Sequence, residues 1–243
     1  MYFGDCLREQ NLYIEDYFDI EESDIVTEAI DMDEGYGGQL RPIYIVLLYA
    51  DSTFDKIADK FLKGQQYWHA AISFGPSLKT CYSFNMGKDN ANKFKGGLTF
   101  ESIEGYRKQC PNGTCQVSCV LVPKDKYDKA RGTVQYYLMN KEKTSYNIKG
   151  LFDSLHGRAK EDSLTTSQVC STFVATVLKN ADIKLNDDKA ANLVKPDDLR
   201  VGTTGKKKQF KVFEGDLRLY DPNKVAIRTE KLSNNLKNNY FGK

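Results

Sequence analysis

The chain has 243 residues and a mass of 27.6 kDa, long enough for one sizeable core. Hydrophobic residues make up 40% and charged residues 28%, and 13 Phe and 15 Tyr supply much to bury, which excludes a mainly disordered chain. No run approaches 18 apolar residues, so no membrane span is expected, and MYFGDCLREQNLYIEDYFDI has neither the basic start nor the apolar stretch of a signal peptide. The expected location is cytoplasmic or within a particle such as a virion.

The net charge of +2 conceals an uneven distribution. Residues 1–40 hold twelve acids and one base, net −11, and the remaining residues carry net +13. Residues 1–40 are therefore read as an acidic arm, 41–222 as the folded domain and 223–243 as an Asn/Lys-rich tail with a frayed end. The arm has two available partners, the basic body of its own chain and another protein, if it is not simply solvated. The basic excess is spread out rather than gathered in a stripe, so nucleic acid is not an expected partner.

In chain order, Gly35-Tyr-Gly-Gly38 marks a flexible join, and Pro42-IYIVLLYA reads as a fully buried strand. Ser52 or Thr53 caps an expected helix ending at Gly64. Tyr67-WHAAISFG and Thr80-CYSFNM read as paired strands of a hairpin. A short extended piece is expected within Gly96-GLTFESIEGY, and a further strand over Cys115-QVSCVLVP. Lys124 to about Lys141 has helical spacing, and Tyr146-NIKGLFDSLHG reads as a short helical or turn segment. Val169-CSTFVATVLKNADI is an amphipathic helix, and Gln209-FKVFEG with Asp216-LRLY forms a final strand or hairpin. The class is α+β.

The two histidines, His69 and His156, are the obvious carriers of acid–base chemistry near neutral pH. His69 lies within a strand, where a satisfied structural histidine and a general base are both compatible readings. His156 reads as part of a surface turn. Among the six cysteines, Cys110 and Cys115 flank a PNGT turn, and no second pair or nearby His completes a zinc site. Cys170 opens a helix, where unpaired N–H groups and the positive end of the dipole favour thiolate and can hold an oxyanion. A buried structural thiol is the competing reading of the same residue.

Taken together, Ile43-YIVLLY, Tyr67-WHAAISFG, Thr80-CYSFN, Thr144-SYNIKGLF, Val169-CSTFVATVLKNADI and Val194-KPDDL resemble the circularly permuted NlpC-type papain-like cysteine hydrolases, whose relatives include YiiX-like proteins and lecithin–retinol acyltransferase. The resemblance covers roughly residues 42–200. It implies an antiparallel sheet packed on helices, with Cys170 as nucleophile at a helix N-terminus and His69 as general base. It places the third polar residue at Ser83, with Asn85 as the alternative, and Tyr146 beside the site. Relatives commonly carry a His or an acid at the third position, and YiiX-like relatives a Glu where Thr172 stands here. The implied activity is hydrolysis of an amide or ester in a peptide, cell-wall or acyl substrate, with no metal or organic cofactor. A catalytically weak binding or virion-structural module and a lipid acyltransferase are the alternatives. The composition of the two ends would suit a phage or viral protein, or a domain cut from a larger polypeptide.

Overall fold

The computed structural model describes residues 40–50, 66–85, 96–147, 166–185, 189–201 and 209–241. The acidic arm, the helix expected after Ser52, Cys6 and His156 lie outside the described residues.

The centre of the fold is β1 (Leu40–Tyr49), in which Ile43 to Leu48 are all buried. Alternation sends Ile43, Ile45 and Leu47 into one apolar cluster and Tyr44, Val46 and Leu48 into another. A strand covered on both faces needs no polar side, which is why its sequence is a continuous apolar run. Around it lie β2 (His69–Ser73), β3 (Cys81–Asn85), β4 (Gly97–Glu101), β5 (Thr114–Pro123) and β8 (Gln209–Asp216). They form a six-stranded sheet in the order β4-β3-β2-β1-β5-β8, antiparallel at every pairing. The two-residue strands β6 (Ser145–Tyr146) and β7 (Ser167–Gln168) form a separate parallel pair.

Four α-helices complete an α+β architecture among the described residues. On one side, α2 (Lys124–Met139) contributes Tyr127, Ala130, Val134 and Tyr137 to the first cluster, and α3 (Cys170–Asn180) contributes Phe173, Val174, Val177 and Leu178. The Phe173 ring packs 5.1 Å from Phe84 and 5.4 Å from Tyr137, which fixes the rotation of α3 on the sheet. On the other side, α1 (Ile103–Gln109) and α4 (Pro222–Phe241) bring Ile103, Tyr106 and Val225 to the second cluster. None of the described helices is long and apolar enough to cross a membrane.

The short extended piece expected after Gly96 is β4, and a helix follows it, because the Ser102 side chain accepts from the Gly105 amide and caps α1. Of the two readings from Gln209, the single strand holds: β8 is followed by a 3₁₀ turn, Leu217–Leu219. The end of the chain is helical instead of frayed: Val225, Thr229 and Ser233 are buried, and Tyr44 of the central strand donates to Thr229 Oγ1 at 3.3 Å.

Candidate active site

His69 enters β2 from a segment whose amides are all held. Asp197, in the 3₁₀ turn Pro196–Leu199, accepts from the Gln66 amide through Oδ2 and from the Tyr67 amide through Oδ1, each at 2.9 Å. The Trp68 amide donates to the Leu48 carbonyl at 3.1 Å. The Val194-KPDDL stretch therefore acts on the histidine through the main chain that precedes it.

Cys170 is the first residue of α3 and is 5% exposed. Its turn is pinned by Thr172. The Val169 amide donates to Thr172 Oγ1 at 3.0 Å, and that hydroxyl donates to Gln168 Oε1 at 2.7 Å. Gln168 in turn donates to the Tyr137 hydroxyl at 3.3 Å, tying the loop to α2. Ser171 Oγ donates to the Val194 carbonyl at 2.6 Å. The first amides of α3 have no partner within the helix, as in any helix, and belong to the turn that Cys170 opens.

The histidine's partner is a residue that the sequence pattern did not single out. His69 Nε2 lies 2.9 Å from Glu101 Oε2, with the two side chains 18% and 4% exposed. Glu101 ends β4, just before the cap of α1. Tyr106, one turn into α1, donates to the same Oε2, and Asn85 Nδ2 donates to Oε1. With Nε2 committed to the carboxylate, Nδ1 is the ring nitrogen left for the Cys170 thiol. Burial alone pulls the imidazole pKa down. The Glu101 charge and hydrogen bonds to Cys170 and Glu101 outweigh that and hold the ring well above its ordinary 6.5. Cys170 Sγ also sits 4.0 Å from the Trp68 carbonyl.

Ser83 and Asn85 take different places from those expected. Ser83 is fully buried, and its hydroxyl donates to the Ala70 carbonyl at 2.7 Å, tying β3 to β2 rather than orienting the imidazole. Asn85 acts on Glu101. The side chain that meets the imidazole is therefore Glu101, an acid two strands from the histidine strand. The only sequence signal was local: Ser102 and Glu104 mark a helix start.

Tyr146 sits on β6, the strand paired with β7, which leads into Cys170. The Asn147 amide donates to the Gln168 carbonyl at 2.9 Å. Burial, then the Cys170 charge, raises the half-buried phenol well above 10, so it stays a donor. Burial also pushes the Cys115 and Cys119 thiols up to about 12, which leaves them protonated and unreactive at neutral pH.

Gly97 sets the position of β6. A Cβ there would stand 2.3 Å from Thr144 Oγ1 and 3.1 Å from the Thr144 carbonyl oxygen. Thr144 Oγ1 is already fixed, accepting from the Leu98 amide at 3.0 Å and donating to the Lys141 carbonyl at 2.7 Å. Gly97→Ala is expected to cost about 1–3 kcal/mol through overpacking and to shift Tyr146 away from Cys170. Gly132→Ala, where nothing lies within 4 Å, should instead gain about 1 kcal/mol of helix propensity. Urea midpoints of the two variants check the contrast, and equal midpoints would refute it.

Comparison of the chain with protein-family models, with curated proteins and with solved structures returned no match.

Proposed function

We propose that the chain is a thiol-dependent hydrolase of the permuted papain-like kind, acting on an amide or ester bond. The observation that supports this reading most is the line of groups at one place: a thiol opening a helix, a histidine raised in pKa beside it, and a buried carboxylate 2.9 Å from the far ring nitrogen. That is the nucleophile, base and orienting acid that acyl transfer needs.

In the proposed reaction the thiol proton passes to His69 Nδ1, and the imidazolium is held by Glu101. Thiolate attacks the substrate carbonyl carbon, and the electron pair moved onto oxygen is met by the first amides of α3. The tetrahedral species collapses as the carbon–nitrogen or carbon–oxygen bond breaks and His69 returns its proton to the leaving group. Water, deprotonated by His69, then attacks the thioester and releases the acid and the thiol. A non-catalytic module drew support from a neutral third residue and from Thr172 where relatives carry Glu, and Glu101 beside His69 speaks against the first of these. The chemistry suits peptide, cell-wall or acyl substrates alike.

The test uses p-nitrophenyl acetate as a minimal ester and iodoacetamide as a thiol probe, with peptide mapping. An acetyl group on Cys170, a burst of nitrophenol and preferential alkylation of Cys170 are expected, all absent in Cys170→Ala. Acetylation or alkylation centred on Cys110 or Cys115, with Cys170 untouched, overturns the reading.

A further inference from the structure

We propose that Tyr106 is a positioning residue: its hydroxyl holds the Glu101 carboxylate turned toward His69, and so fixes the histidine that serves Cys170. This rests on the hydrolase reading and adds to it a residue from the opposite face of the sheet.

Glu101 is 3% exposed and carries a charge that burial makes costly unless its oxygens are filled. Three donors fill them: His69 and Tyr106 share Oε2, and Asn85 takes Oε1. With both oxygens occupied, the carboxylate cannot turn away from the ring. Removing the hydroxyl leaves the carboxylate short of one donor and free to swing. The His69 ring then loses the partner that orients it toward Cys170.

The Tyr106 hydroxyl is not needed to hold α1 in place. The helix is capped by Ser102, buries Ile103, and is bolted to the far end of the chain by Arg107, which donates to the Leu217 and Tyr220 carbonyls. The Tyr106 ring itself is 3% exposed and meets the His69 ring edge-on with centroids 6.2 Å apart, a packing that Phe retains. Tyr106→Phe therefore removes the donor while leaving the ring in its place.

The experiment follows Cys170 alkylation by iodoacetamide from pH 5 to 10 in five full-length chains: the unaltered protein, Tyr106→Phe, Glu101→Gln, the double variant of these two, and His69→Ala. Tyr106→Phe should lower the rate near pH 6.5 by about three- to tenfold and move the profile toward that of an ordinary thiol, whose pKa is about 8.5. In the Glu101→Gln background it should change nothing further, because the hydroxyl acts through that carboxylate. Trimethylamine N-oxide in the buffer favours the folded state, so a weakened variant still gives a reading. An unchanged profile, or an effect that adds in full to that of Glu101→Gln, overturns the role of Tyr106 while the response to Glu101→Gln leaves the hydrolase reading standing. If neither Glu101→Gln nor His69→Ala moves the profile, the hydrolase reading itself fails, and the proposal falls with it.

Discussion

His69→Ala is expected to lower the alkylation rate of Cys170 at pH 6.5 by up to about a hundredfold, while His156→Ala leaves it unchanged. The imidazole pKa is held well above its ordinary value, so in the proposed reaction the ring takes and keeps the thiol proton and stands as a cation beside the thiolate. Alanine removes that cation and leaves only the helix terminus to favour thiolate. An ordinary thiol with a pKa of about 8.5 is about 1% ionised two units lower, which sets the size of the loss. Acetylation by p-nitrophenyl acetate should fall in parallel, because no base remains to take the proton. Equal rates for His69→Ala and the unaltered chain, with a fall in His156→Ala, would place the base elsewhere.

Glu101→Gln should reduce the same rate by about tenfold or more and should also change how stability depends on pH. The amide keeps the shape of the side chain and removes its charge, and about 1.4 kcal/mol corresponds to a decade in rate. The sign for stability follows from His69. Its folded pKa is raised above the ordinary value of about 6.5, so the stabilisation is fully present below that value and is lost as pH rises through the raised one. The unaltered chain should therefore exceed Glu101→Gln in melting temperature most at about pH 6, and the gap should close on the alkaline side. Melts from pH 6 to 10 measure this, and a gap that stays constant or widens would mean that the carboxylate does not act on the imidazole.

The strands were legible in the sequence where apolar periodicity was strong. β1 and β5, the helical spacing of α2 and the start of α3 at Cys170 all follow from local pattern. Helix α1 was not, because its seven residues carry only two buried positions, too few for a period to show. The C-terminal helix was hidden by its Asn and Lys content, since tertiary burial of Val225, Thr229 and Ser233 overrides a weak propensity. In the site, Cys170 and His69 were marked by position and scarcity. Glu101 was one of 33 acids and is set apart by contacts with residues 16 and 32 positions earlier and with Tyr106 in the next helix. Ser83 was the neighbour that strand alternation offered, but its hydroxyl is satisfied by the adjacent main chain.

The Asp197 clamp has a consequence for the order of events during synthesis. The carboxylate that fixes the Gln66 and Tyr67 amides comes 131 and 130 residues after them. A ribosome adding about 5–20 residues per second exposes His69 and Glu101 first, then the thiol, and the aspartate last. Until residue 197 has emerged, the histidine segment lacks these two hydrogen bonds. In the proposed hydrolase, His69 would reach its anchored place only once Asp197 has been made. A chain released earlier would carry His69 and Cys170 without that anchor.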